Sequence, residues 1–287
     1  MKTLTVAASA LNGKASRVAE EDEKKAGVYR RIVEHLFANK YKPGMKAVAF
    51  RRDDLISAAV AVGAKVPKNL GDIVYSFRFR ATMPIAISST APRGKQWVIK
   101  GEGDALYSFT LFDGANIAPR TDQEPIKIPA ATPEIVKKHT RSEEQALLAV
   151  VRYNRLIDMF LGVTAYSLQS HLRTKVATIG QMEIDELYVG LNREGAQYII
   201  PVQAKGGKDK QGVSQVLQDW EFCKIEFPNL VPRLIAAQFV HDDHVAMMEL
   251  VVTPTAIKVR QERQYLLADQ RKITDADLKS YRHATNA

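Results

Sequence analysis

The chain has 287 residues, 46% of them hydrophobic and 25% charged, a balance that excludes a disordered or low-complexity polymer and leaves room for one large or two medium domains. Its 41 Lys and Arg against 32 Asp and Glu give a net charge of +9, which suits a polyanionic partner such as nucleic acid. The best apolar stretch, residues 230–240, is interrupted by Pro232, Arg233 and Gln238 and falls short of a membrane span, while the single cysteine, Cys223, permits no internal disulfide and suits a reducing, cytoplasmic setting.

Residues 1–25 read as a flexible leader, because Ser and Thr interrupt the apolar run from Leu4 to Leu11 that would otherwise imitate a signal peptide. A helix follows from Gly27 to Lys40, with Val28, Ile32, His35 and Leu36 on one stripe. A second opens after Arg51 and Arg52, covers Asp53 to Val62 and ends at Gly63; a third covers Asp72 to Arg80. Gln96–Lys100 and Leu106–Phe112 read as strands of a hairpin closed by Gly101-Glu102-Gly103-Asp104. Helix, helix, helix, hairpin over residues 26–113 is the order of a winged helix-turn-helix, in which the third helix enters the major groove. Arg51, Arg52, Arg78, Arg80, Arg93, Lys95 and Lys100 are then candidates for contacts to DNA phosphates. The plain alternative is a packing module with a basic surface.

Pro119, Pro125, Pro129 and Pro133 mark residues 114–141 as a linker. Beyond it, residues 142–260 form a second domain of α/β class with a mixed sheet covered by helices. Ser142 can cap a helix, with Gln145 completing a capping box and Leu147, Val150, Val151, Ile157, Phe160 and Leu161 on its apolar face. The polar string Tyr166 to Arg173 either ends that helix or touches DNA through Gln169, His171 and Arg173. Strands at Met182–Leu191 and Tyr198–Lys205 flank a turn at Asn192–Gly195, a helix covers Val213–Cys223, a buried strand covers Leu234–Val240, and a further hairpin closes at Asp242-Asp243. Pro201, inside the second of those strands, calls for a bulge or one-sided pairing. Residues 261–287 read as a solvated helical tail or a dimer-packing arm.

Period-two alternation puts Glu183 and Asp185 on one face of the first strand, and Gln203 and Lys205 on one face of the second. The spacing, Asp185 and then Gln203-Ala204-Lys205 on the next strand, resembles the PD-(D/E)xK nuclease superfamily, specifically its glutamine variant among restriction endonucleases. The resemblance implies an αβββαβ core over roughly residues 142–255, Asp185 as metal ligand, Gln203 in the position of the second acid and Lys205 as the lysine. It also implies Glu144 as the acid many members carry on the first helix, with Glu143 as its rival.

In-line phosphodiester hydrolysis needs a deprotonated water and an offset for the charge developing on the phosphate, both of which a divalent cation supplies. The Asp185 carboxylate, the Gln203 amide oxygen and the Ala204 carbonyl are oxygen donors suited to Mg²⁺ or Mn²⁺. Lys205 would orient the water and neutralise the phosphate, and Lys208 and Lys210 add basic charge beyond it. The expectation is a type II restriction-like endonuclease acting on double-stranded DNA as a homodimer and leaving 5′-phosphate and 3′-hydroxyl ends. A regulator that keeps the nuclease fold without turnover is the alternative. His241-Asp242-Asp243-His244 reads as turn chemistry rather than a metal centre, and Cys223 as a core thiol.

Overall fold

Tyr29, Ile32, Val33, Leu36 and Phe37 recur at helical spacing and bury one face of α1 (residues 26–40). The structure, a computed structural model, describes residues 26–285 other than 104, 114–116, 177–179 and 208–210. The proposed leader, Lys208 and Lys210 therefore lie outside the described residues. The chain divides into two units, Met1–Asp113 and Gly114–Ala287, each with its own hydrophobic core.

In the first unit, α1 is followed by β1 (Ala47–Arg51), α2 (Arg52–Ala61), α3 (Leu70–Tyr75), a π-helical turn over Ser76–Arg80, α4 (Ile85–Ser88), β2 (Lys95–Gly103) and β3 (Leu106–Asp113). The strands form one antiparallel sheet of order β1-β3-β2. Phe37, Phe50, Trp97 and Phe109 join helix and sheet in a shared core, with Phe109 ringed by Phe37 and Phe50 at centroid distances of 5.1 and 5.0 Å. β1 is absent from the expected order, although its two buried residues, Val48 and Phe50, alternate with exposed ones in the manner of a half-buried strand.

The second unit begins with β4 (Ile126–Pro129) and α5 (Glu134–His139), inside the segment expected to be a linker. β4 pairs in parallel with β11 (Ile257–Ala268), and Ala130 N donates to the Ala268 carbonyl at 2.9 Å, so this segment is part of the fold. The expected helical tail is likewise corrected: Tyr265, Leu266 and Leu267 lie in β11, and only α9 (Asp275–Thr285) is helical, after a short turn at Gln270–Lys272. The apolar periodicity that suggested one helix after Ser142 divides into α6 (Glu143–Tyr153) and α7 (Leu156–Leu161). Arg155, with φ at 51°, adopts a left-handed conformation at the break. Ser142 caps α6 as expected, its Oγ accepting from Gln145 N at 3.2 Å.

The polar string at 166–173 belongs to a strand, β5 (Thr164–Val176), and not to a helix end. β6 (Gly180–Leu191), β7 (Gln197–Lys205), α8 (Val213–Glu226), β8 (Val231–Pro232), β9 (Leu234–His241) and β10 (His244–Val252) complete an eight-stranded mixed sheet of order β4-β11-β10-β9-β7-β6-β5, with β8 pairing β7 off that path. β6 runs antiparallel to both β5 and β7, and β9 runs parallel to β7. The core on one face gathers Leu147, Val151 and Ile157 of α6 and α7 against Tyr188, Ile200, Val202 and Ala204. Pro201 falls where the parallel partner of β7 changes, since β8 pairs as far as Ile199 and β9 from Val202. There Arg233 N donates to the Ile199 carbonyl at 2.9 Å, and the proline, having no amide, cannot return a bond to that neighbour, so the parallel pairing is interrupted.

Candidate functional site

The β6–β7 ladder runs from Leu191 opposite Gln197 to Glu186 opposite Val202 and stops there. One residue further, the strands part and the Asp185 side chain enters the gap, its Oδ2 accepting from Ala204 N at 2.8 Å. A carboxylate thus takes the place of a ladder carbonyl. A strand residue presents its amide and carbonyl toward the same neighbour, so the Ala204 carbonyl faces the same gap.

Lys205, with 17% of its side chain exposed, comes within 3.8 Å of Glu144 Oε1 on the first turn of α6. Glu143, the rival acid, has a different place: its Oε2 lies 2.5 Å from where a β-carbon on Gly206 would stand. Only glycine lets α6 approach the residue after Lys205 so closely. Burial drives the Asp185 carboxyl above its ordinary range; the Ala204 amide and the Lys205 ammonium oppose that rise, and the negative charges of Glu144 and Glu183 add to it. The Asp185 carboxyl therefore senses the charges of Lys205, Glu144 and Glu183.

Gln203, only 2% exposed, turns its amide toward α8. Its Nε2 donates to Asp219 Oδ2 at 2.8 Å and approaches the Glu183 carbonyl at 3.4 Å, while its Oε1 accepts from Gln215 Nε2 at 2.6 Å. Gln215 Oε1 in turn accepts from Gln211 Nε2 at 3.3 Å. The amide expected to face a cation instead has a partner on α8 at each end, the buried Asp219 and the half-buried Gln215. Complete burial raises the Asp219 carboxyl well above the usual carboxylate range, and the nearby Asp185 charge adds to this; the Gln203 hydrogen bond and the Lys205 ammonium oppose it. The sequence reasoning overlooked Asp219 and Gln215. Their signal was available, because two polar residues one turn apart, between Val216, Leu217 and Phe222, are a polar stripe on a buried helix.

The remaining candidates are dispersed. Gln169, His171 and Arg173 are exposed on β5, and Arg173 pairs with Glu183 at 3.0 Å. In the first unit, Arg51, Arg52, Arg93 and Lys95 are exposed; Lys95 pairs with Asp113, and Lys100 lies over the Phe112 ring at 4.8 Å. Arg78, expected at the surface, is 7% exposed and packs beside Gly101, so burial corrects its assignment as a phosphate contact. Arg80 closes the π-helical turn. Arg51 is opposite Leu106 at the hairpin turn and Lys95 opposite Asp113 at the far end of the sheet, so the basic residues do not fall in one row.

Among the described residues no three His, Cys, Asp or Glu side chains form a metal-binding group, and His241 and His244 merely face each other across the β9–β10 turn. The Cys223 thiol is buried, and burial pushes its pKa far up, as befits a core residue. No helix among the described residues is long and apolar enough to cross a membrane. No protein-family model, curated protein or solved structure matches the chain.

Proposed function

We propose that the chain is a metal-dependent DNA endonuclease of the PD-(D/E)xK type, restriction-like in its action on double-stranded DNA. The observation that carries this reading is that Asp185, where β6 and β7 part, bonds the amide of Ala204, the residue before Lys205, while Glu144 of α6 lies 3.8 Å from that lysine. The element order α6-α7-β5-β6-β7-α8-β8-β9, with β6 antiparallel to β5 and β7 and β9 parallel to β7, supports it because the αβββαβ core of the family runs in the same sequence once α7 and the two-residue β8 are set aside. In the first unit, β1 between α1 and α2 and the sheet order β1-β3-β2 support a winged-helix reading, with DNA the partner of its exposed arginines.

The Asp185 carboxylate and Ala204 carbonyl offer the hard oxygen donors that Mg²⁺ or Mn²⁺ takes. Such a cation, when bound, acidifies water and offsets phosphate charge. Asp185 is fixed for this task by the Ala204 amide, which leaves Oδ1 for another partner. Lys205, 3.8 Å from Glu144, donates to the scissile phosphate and orients the attacking water. Cleavage of two antiparallel strands maps onto twofold symmetry, so the working form is a homodimer.

Incubation of the full chain with supercoiled plasmid and Mg²⁺ tests the reading. Nicking and linearisation are expected, and Lys205→Ala should slow them by about 10²–10⁴-fold while DNA still shifts in a gel. Binding without nicking by the wild-type chain would identify a regulator instead.

A further inference from the structure

We propose that Gln203 is a positioning residue and not a metal ligand: its amide clamps β7 to α8 through Asp219 and Gln215, and so sets Lys205 beside Asp185 and Glu144. This rests on the nuclease reading for what Lys205 does, but the clamp itself is read from hydrogen bonds alone. Nε2 meets Asp219 at 2.8 Å and Oε1 meets Gln215 at 2.6 Å. With the amide's nitrogen and oxygen exchanged, Oε1 would face the Asp219 oxygen and Nε2 the Gln215 nitrogen, so the present orientation is the one that bonds at both ends. Oε1 already accepts from Gln215, and turning it away from α8 toward a cation would break that bond and strip a partner from the buried Gln203 amide.

The clamp also accounts for the residue type. Asp219 is completely buried, and its other oxygen, Oδ1, has no hydrogen-bond partner among the described residues, so the Gln203 N–H is the hydrogen bond it has. A carboxylate at 203 would set two buried acids within hydrogen-bonding distance, where both cannot be ionised together. An amide there removes that conflict and ties the strand to the helix. Two residues on, Lys205 is the next side chain on the same face of β7, so the anchor is a single strand repeat from the ammonium it sets. The charge balance near Lys205 is then completed by Glu144 from α6, 3.8 Å away, and not by residue 203.

Four full-length proteins decide the matter: wild type, Gln203→Glu, Asp219→Asn and the double exchange that combines the two substitutions. In the double exchange the new amide on α8 can donate to the new carboxylate on β7 and restore the bond with its polarity reversed. Thermal midpoint, Mn²⁺ affinity by calorimetry and plasmid nicking at saturating DNA are measured for each. A positioning role predicts that Gln203→Glu lowers the midpoint and the nicking rate without tightening Mn²⁺ binding, and that the double exchange recovers both quantities. A midpoint unchanged in Gln203→Glu together with Mn²⁺ bound at least tenfold tighter makes residue 203 a ligand and overturns the proposal. Loss of midpoint without recovery in the double exchange overturns it too. If wild type binds no Mn²⁺ and nicks nothing, the nuclease reading fails, while the midpoints of the four proteins still decide whether the clamp exists.

Discussion

Asp219 shows how one buried side chain can set a pH dependence for the whole second unit. Its carboxyl holds its proton more tightly folded than unfolded, so folding takes up a proton between the ordinary carboxylate pKa of about 4 and the raised folded value. The stability this provides is complete at the acidic end and is lost as pH rises through the folded pKa; Asp185, also raised, acts in the same direction. Thermal midpoints should therefore fall as pH rises from about 4 through the folded pKa of Asp219, and Asp219→Asn, which cannot titrate, should flatten that slope. A slope unchanged in the variant would show that the Asp219 proton is not taken up on folding. Asp185, Gln203 and Lys205 could be placed on neighbouring strands from the sequence because a two-residue alternation needs only local information. Which way the Gln203 amide turns depends on α8, a separate element later in the chain, and no local pattern carries that.

At the scale of elements, the sheet that presents Asp185 is held to α6 by a polar network on its opposite face. Arg152 Nε donates to the fully buried Glu186 at 2.9 Å, its terminal nitrogen reaches Ser170 Oγ at 2.6 Å, and Ser167 Oγ donates to the same Glu186 oxygen at 2.7 Å. One helix thereby grips both β5 and β6 beside the bulge between Ser167 and Gln169. Arg152→Met leaves Glu186 buried with only Ser167, a loss we place at about 2–3 kcal/mol because the arginine is 42% exposed and the pair is partly screened by solvent. Urea denaturation should show that loss, and adding Glu186→Gln should recover most of it. Strongly periodic elements such as α6, β6, β7, α8 and β9 were legible in the sequence, since each carries enough buried residues to fix its own period. β5 was not, because it is an edge strand exposed along most of its length and shows no alternation. β1 and β4, at five and four residues, are too short to declare a period, and their pairing with β3 and β11 is made far along the chain.

For the molecule as a whole, the consequence of β4 is that the second unit cannot begin at α6. Proline-rich composition made residues 114–141 look like a connector, yet this segment is sewn to the last strands by bonds that its composition does not reveal. Arg120 N donates to Glu262 at 3.0 Å, Gln264 donates to the Arg120 carbonyl at 2.7 Å, and Lys127 meets Asp277 of α9 at 3.0 Å. Asn154, at the end of α6, accepts from Ala131 N and donates to Thr132 Oγ1, both at 2.7 Å. Removing the segment would leave Glu262, Gln264 and Asn154, all buried, without these partners, and would uncover the core at Ile126 and Ile128. A fragment of residues 114–287 should accordingly unfold in one cooperative transition in calorimetry, whereas residues 142–287 should aggregate or melt at least about 10 °C lower, the shift expected when several kcal/mol are lost from a unit of this size. Equal midpoints for the two fragments would return residues 114–141 to the status of a linker and remove β4 from the structural unit that carries Asp185 and Lys205.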